Sequence, residues 1–300
     1  MSKKKIVNIV VPVALVLIIG IALYKVITIQ MEYQEAEDEY SDLAAYVVEE
    51  PVQRTTAPPE SGMMETEPES LAASEEGDAS EAGGTSGDTA EEASTGGTQS
   101  AASNRDAIVR IDEEALRGIN EDYRAWLRIP VLRLSYPLAA GTDNDYYLHH
   151  TFEKRYNGAG CLFIDCETAS DFSDRNTFIY GHNMKNGSMF GCLKRFRKEQ
   201  GLCASDPYFY IYRGDAVYQY EIFAYYTTEY TSDRYQLIHT EEEYDNYIAS
   251  ALRLTEFAPV HELDFSGRPN IVTLSTCSGS GGTTQRMVVH GVLIGVSDVE

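Results

Sequence analysis

The fold of this chain is decided by two short stretches near the C-terminus, IVTLSTC at residues 271–277 and RMVVHG at residues 286–291. Both stretches are rich in β-branched residues, which is typical of strands. The glycines and serines of residues 278–282 predict a turn between them. Two neighbouring strands would bring the thiol of Cys277 close to the guanidinium of Arg286. A fixed positive charge favours a thiolate and stabilises an oxyanion, whereas the alternative is a buried cysteine beside a surface arginine.

Composition limits the classes of partner and of site. The 300 residues carry a formal net charge of −23, which argues against nucleic acid or anionic lipid as a direct partner. The five cysteines are an odd number, so at least one is unpaired, and a reactive thiol is the natural candidate. No ligand spacing predicts a metal ion or another cofactor. Cys161 and Cys166 are expected to lie on strands with their side chains in the core. Cys192 and Cys203 receive no role from the sequence.

The N-terminus has the pattern of a membrane anchor. A lysine cluster at residues 3–5 precedes an apolar run from Ile6 to Tyr24, which is long enough to cross a bilayer as a helix. The positive charge predicts that this end stays in the cytoplasm. A cleaved signal peptide is the alternative, but residues 25–30 offer no small-residue cleavage site. The lysine cluster and a transmembrane anchor are therefore predicted over residues 1–30, with the rest of the chain outside the cell.

An acidic, low-complexity segment follows over residues 31–105. Residues 31–48 are compatible with a short helix that continues from the membrane. Further on, too little apolar surface is present to offset chain ordering, which predicts a disordered linker extended by its own charge. The linker is interpreted either as a spacer that lets the folded domain clear the membrane or as an unselective connection. The folded domain is predicted over residues 106–300.

The folded domain is predicted to be mainly β. Short β-branched or aromatic runs alternate with turn residues, and no βαβ alternation is present, which favours a closed or nearly closed barrel. A helix capped by Asp112 and a short helical turn over residues 121–126 are expected before it. Gly214 and Asp215 predict a hairpin turn. The predicted strands are Leu134–Leu138, Cys161–Asp165, Thr177–Tyr180, Tyr208–Tyr212, Val217–Tyr226, Ile271–Cys277 and Met287–Val296.

One longer helix is expected before the strand that carries Cys277. The sequence TEEE at residues 240–243 is a capping box, and apolar residues follow it at helical spacing. A tyrosine-rich segment, residues 225–235, precedes this helix. It is predicted either to line a groove or only to pack the helix against the barrel.

Several of these blocks resemble one enzyme family. TLSTC with Arg286 downstream is similar to the sortase signature T-L-x-T-C…R, and the order His182, Cys277, Arg286 is that of the family. NTFIYGHNM at residues 176–184, running on through GSMF at 187–190, resembles the histidine segment of class B sortases. Residues 143–150 and 160–165 resemble further segments of that class. The resemblance extends from about Asp112 to the C-terminus.

The resemblance implies an eight-stranded sortase barrel and a cysteine transpeptidase without a cofactor. Cys277 would be the nucleophile that forms a thioester acyl-enzyme, and His182 the general acid and then the general base. Arg286 would hold the substrate carbonyl and stabilise the oxyanion. Residues considered for substrate binding are Asn183, Ser275, Thr276 and Tyr225. His149 and His150 are interpreted as structural, and packing is favoured over a supporting role for His290.

The same resemblance implies partners and a location. A single-pass enzyme in the cell membrane of a Gram-positive bacterium, with its catalytic domain facing the cell wall, would cleave a C-terminal sorting motif of secreted proteins after a threonine. The acyl group would pass to an amine of peptidoglycan or its precursor. A pilin-polymerising sortase that uses a lysine amine is the first alternative. A papain-like hydrolase is disfavoured because the histidine precedes the cysteine and Arg286 replaces an Asn or Asp partner; the last alternative is a non-catalytic binding module.

Overall fold

The computed structural model of the chain describes residues 3–51, 107–231, 235–277 and 284–299. The residues predicted as a glycine-serine turn (278–282) and most of the predicted linker (52–106) therefore lie outside the described part. The helices are α1 Lys3–Leu43, α2 Glu113–Ile119, α3 Arg195–Lys198, α4 Leu202–Ser205 and α5 Glu241–Leu254. The strands are β1 Val47–Pro51, β2 Ala107–Ile111, β3 Tyr123–Ile129, β4 Leu134–Ala139, β5 Leu162–Ile164, β6 Asn176–Tyr180, β7 Tyr208–Arg213, β8 Ala216–Glu229, β9 Ile271–Cys277 and β10 Gln285–Asp298.

Among the described strands, eight close into a barrel in the order β10-β8-β7-β3-β4-β5-β6-β9, with β9 paired to β10. The pairs β4–β5 and β6–β9 are parallel, and the other neighbours are antiparallel. The eight-stranded barrel of the sequence analysis is thus confirmed. Trp126, Phe209 and Leu274 are fully buried in its main core. Burying side chains of this size contributes about 1.5–3 kcal/mol each.

Two predicted helices have the expected ends. The Asp112 carboxylate accepts from the Ala115 amide at 3.0 Å and begins α2. The capping box at α5 is complete, because the Thr240 hydroxyl accepts from the Glu243 amide while the Glu243 carboxylate accepts from the Thr240 amide. Helix α5 packs on the outer face of β8 through a second buried cluster that includes Tyr247. The predicted hairpin between β7 and β8 also forms, with Gly214 at φ +58°.

Two expectations differ from the structure. Residues 121–126, predicted as a helical turn, enter strand β3 at Tyr123, because β3 gains partners on both sides, β4 and β7. Cys166, predicted in the core, is exposed in the turn after β5, whereas Cys161 is buried as expected.

The part of the predicted linker that is described, residues 31–51, packs against the folded domain. Helix α1 continues to Leu43, where Ala36, Tyr40 and Leu43 are buried in the main core. Strand β1 then pairs antiparallel with β2, and Pro51 lies opposite Ala107. The chain therefore leaves the described structure at residue 51 and returns to it at residue 107 on neighbouring strands.

Residues 14–27 of α1 are mostly apolar and exposed. By length and composition this helix could cross a membrane.

Candidate active site

Strand register pairs Arg286 with Cys277 and brings the end of β6, two residues before His182, alongside β9. In the parallel pair β6–β9, each residue of β6 lies opposite the β9 residue 95 positions further along the chain, as Tyr180 does opposite Ser275. The Gly181 amide extends this pairing by donating to the Ser275 carbonyl at 3.2 Å. The same register carried two residues beyond Tyr180 aligns His182 with Cys277, and β10 places Arg286 directly opposite Cys277. Neighbouring strands lie about 4.8 Å apart, so the backbones of all three positions are close.

The imidazole of His182 has a defined tautomer. Its Nε2 lies 2.7 Å from the Leu148 carbonyl oxygen. A carbonyl only accepts hydrogen bonds, so Nε2 carries the proton of the neutral ring. Nδ1 is then the nitrogen that can take up and release a further proton. Burial lowers the pKa of His182 below its usual range, against a smaller opposing effect of the Leu148 hydrogen bond. The ring is therefore held neutral near pH 7 and can act as a base.

Arg286 is held at the entrance to β10. Its guanidinium carbon lies 5.3 Å from the ring centroid of Tyr230, and Nη1 donates to the Gln285 carbonyl at 3.1 Å. The aromatic contact orients the planar guanidinium group. An arginine in this position can bind the oxygen of a carbonyl under attack at Cys277.

His182 and Arg286 both line a cavity of about 440 Å³. Aromatic rings and the Leu148 side chain make most of its wall, and a few polar groups converge on it, as is usual for ligand sites. Tyr230 and Tyr235 come from the tyrosine-rich segment that was predicted to line a groove or to pack a helix. The residues that line the cavity are Asn144, Leu148, Phe163, Tyr180, Gly181, His182, Tyr230, Tyr235, Ser275, Thr276 and Arg286.

Two of the four residues considered for substrate binding line this cavity. The Ser275 hydroxyl is 2.6 Å from the Tyr235 hydroxyl. The Thr276 hydroxyl is buried and has no hydrogen-bond partner within the described residues. Asn183 is not among the lining residues, and its backbone bridges to Met189. Tyr225 also lies elsewhere, because its ring stacks on Phe196 and Phe257 and its hydroxyl donates to the Phe196 carbonyl at 3.0 Å.

The described thiols are unsuited to nucleophilic attack. Burial raises the pKa of Cys192 and of Cys203 to about 12, and raises that of Cys161 still further. The pKa of the exposed Cys166 is raised too, first by partial desolvation and then by Asp165 and Glu167. A thiol attacks as the thiolate, so none of these four is activated. The elimination leaves Cys277, whose backbone faces Arg286.

Several cavity residues were missed as individual site residues. Asn144 and Leu148 fall in the segment 143–150, which was noted only as a resemblance, and Phe163 and Tyr180 read as ordinary strand residues. The Tyr180 hydroxyl donates to the Asp165 carboxylate at 2.7 Å, which fixes the ring in the wall. Nothing local in the sequence marks such residues, because they become neighbours only when β5, β6 and β9 pair.

His290 and His150 both make packing contacts. His290 is fully buried beneath α5, where its Nδ1 lies 2.9 Å from the Thr273 hydroxyl and 3.2 Å from the Tyr247 hydroxyl. The network ties α5 to both β9 and β10. His150 stacks on Tyr146 at a centroid distance of 4.0 Å.

Comparisons with known proteins identify the family. A family model of the sortase domain matches residues 127–294. Sortase B of Listeria monocytogenes is 36% identical over 200 residues, which cover 65% of this chain and 79% of the relative. Sortase B of Staphylococcus aureus is 30% identical over 202 residues, which cover 66% and 81%.

Solved structures give the same result. The chain superposes on Clostridium perfringens sortase B with a TM-score of 0.57 and 32% identity, covering 61% of this chain and all of that one. A Staphylococcus aureus sortase B–substrate complex matches with a TM-score of 0.55 and 25% identity, covering 60% and 83%.

The family model matches more than half of the chain and the described strands close into a β-barrel, so this protein belongs to the sortase family of cysteine transpeptidases. The relatives and the superposed structures are class B members, so the chain is a class B sortase.

Proposed function

We propose that the protein is a membrane-anchored transpeptidase in which Cys277 attacks the scissile carbonyl of a C-terminal sorting motif. His182 takes the proton of the Cys277 thiol and passes it to the leaving amine, and Arg286 binds the oxyanion. The resulting thioester is resolved by a cell-wall amine, after His182 has accepted its proton. The proposal is supported by the pairing of Arg286 with Cys277, by the β6–β9 pairing that leads towards His182, and by the cavity that His182 and Arg286 both line.

Location follows from α1. The apolar run within this helix is proposed to cross the cell membrane once, with the lysine cluster on the cytoplasmic side. The catalytic domain would then face the cell wall. The partners are secreted proteins with a sorting motif and an amine of peptidoglycan or its precursor. A pilin lysine is the second candidate acceptor.

A peptide library tests the chemistry. The full chain in detergent micelles is incubated with candidate sorting peptides, with and without an amine acceptor, and intact-protein mass spectrometry follows the acyl-enzyme. We expect a thioester adduct that disappears in Cys277→Ala and persists in Cys166→Ala. Products that ignore the amine would indicate a hydrolase, and peptide binding without any adduct would indicate a binding module.

A further inference from the structure

The end of α1 contacts the loop that supports His182. We call residues 147–160 the support loop. The Tyr40 hydroxyl of α1 donates to the Gly160 carbonyl at 2.7 Å and accepts from the Phe152 amide at 3.2 Å. Tyr40 is buried, so both bonds are shielded from water. One hydroxyl thus ties together the middle and the end of the support loop.

Further polar groups of α1 hold the same loop. The Glu39 carboxylate is buried and accepts from the Glu153 amide at 2.9 Å. Two turns earlier on α1, the Glu32 carbonyl accepts from the Asn157 side-chain amide at 2.9 Å. Other backbone groups bond within the loop, as the Thr151 amide does to the Arg155 carbonyl and the Asn157 amide to the His149 carbonyl. The bonds to α1 satisfy further polar groups of the loop, so α1 supplies part of its support.

The support loop in turn contacts the imidazole of His182. Its Leu148 carbonyl accepts from Nε2, as described above. At the other end of the loop Gly160 has φ +61°, and a Cβ placed there would lie 3.1 Å from His182 Cδ2. The same Cβ would lie 2.5 Å from the Tyr147 carbonyl oxygen, so the position requires glycine, and the Gly160 backbone forms one side of the pocket around the His182 ring. A displacement of the loop would move both the hydrogen bond and this wall.

Helix α1 also borders the chain on the other side of His182. A cavity of about 180 Å³ separates Tyr33 and Tyr40 of the helix from Met184, Ser188 and Met189. These three residues follow His182 within seven positions. The helix therefore contacts the support loop, which precedes His182 in the chain. Across the cavity it faces the segment that follows His182.

We propose that the last turns of α1 are a positioning part of the active site: Tyr40 and Glu39 hold the support loop so that Leu148 orients the imidazole of His182. The inference rests on the proposed function, because it takes His182 as the acid and base. The helix with the apolar run thus also sets the geometry of the reaction.

Tyr40→Phe in the full chain, in detergent micelles, tests this role. The substitution keeps the ring but removes both hydrogen bonds of the hydroxyl. We expect the kcat for cleavage of a sorting peptide to fall about five- to twentyfold, with KM within about twofold, because orientation and not peptide binding is lost. Burial is the main cause of the lowered pKa of His182, so a loosened loop should raise that pKa towards its usual value in an NMR titration.

Tyr33→Phe is the matched control, since the Tyr33 side chain lies two turns earlier on α1, faces the same cavity, and has no hydrogen bond within the described residues. It should leave kcat and the pKa unchanged. Glu39→Ala removes an independent contact to the same loop and should lower kcat in the same direction, which decides the matter if Tyr40→Phe does not fold. The proposal is overturned if both Tyr40→Phe and Glu39→Ala retain wild-type kcat, or if Tyr33→Phe loses as much. Active wild-type protein alongside unaffected variants would leave the proposed function standing.

Discussion

The role proposed for Arg286 depends on the shape of its side chain as well as on its charge. The guanidinium is planar, rests over Tyr230 and can offer paired donors to one oxygen. A lysine would keep the charge but lose both the fork and the stacking.

Arg286→Lys is therefore expected to lower kcat/KM for a sorting peptide by about 10²–10³, the usual effect of losing an oxyanion donor. Arg213→Lys, at the hairpin between β7 and β8, is the matched control and should be silent. Steady-state kinetics on both variants checks this. Wild-type activity in Arg286→Lys would show that charge alone suffices.

His182 should make stability depend on pH. Its pKa in the folded protein is lowered by burial, so the unfolded chain binds a proton more readily than the folded one. Stability contributed by the neutral ring is present above the ordinary histidine value of about 6.5 and is lost as pH falls from there through the folded pKa. Urea unfolding between about pH 5 and 7.5 should show a steeper acid loss in wild type than in His182→Gln. Equal slopes would mean that the ring is not held neutral.

Among the elements, the end of β6 is tightly packed at Gly181, the residue that follows the strand. A Cβ on Gly181 would overlap Leu162 Cδ2 and lie 2.8 Å from Phe190 Cδ2, so only glycine lets the chain reach His182 in the β9 register. The constraint links packing beneath the barrel end to the position of the imidazole.

Gly181→Ala should lower the free energy of unfolding by about 1–3 kcal/mol through overpacking. It should also reduce kcat by about tenfold or more, because His182 shifts. Gly118→Ala in α2, where a Cβ meets nothing within 4 Å, should be neutral or stabilising. Thermal unfolding and peptide cleavage on the two variants test both effects. Comparable losses in Gly118→Ala would point to a general effect of glycine replacement.

Elements with a local signal were predictable, and those decided by distant partners were not. The capping box of α5, strand β9 and the hairpin turn at Gly214 all follow from short stretches of sequence. Strand β3 did not, because its two partner strands decide its conformation. The row of His182 and Cys277 depends on a parallel pairing that no local pattern reports, so the sequence could supply the three side chains only through family resemblance.

At the scale of the whole molecule, the predicted tether is interrupted by structure. Residues 31–51 form the end of α1 and strand β1, and Pro51 pairs with Ala107. The acidic residues 52–106 thus begin and end at one place on the domain. They add nothing to the distance between α1 and the barrel, which differs from the spacer interpretation. Hydrophobicity and charge could not reveal this, because the pairing of β1 with β2 spans the whole acidic segment.

Excision of this segment provides a direct test. Replacing residues 52–106 with a Gly/Ser turn of about four residues should preserve activity and maintain or raise stability, because a shorter loop costs less closure entropy. Starting the chain at residue 107 instead should lower the free energy of unfolding by about 3 kcal/mol or more, since Tyr40 and Leu43 leave the core. Urea unfolding of residues 28–300, the excision variant and residues 107–300 gives the comparison. If residues 107–300 are as stable as residues 28–300, the end of α1 does not stabilise the folded domain.

The parallel pairing of β6 with β9 also has a consequence for how the protein is made. Partners 95 positions apart along the chain must meet before His182 and Cys277 share a row. Contacts between such distant residues form slowly and late. During synthesis the thiol therefore emerges long after the imidazole, and the proposed active site would be complete only when the last strands close the barrel.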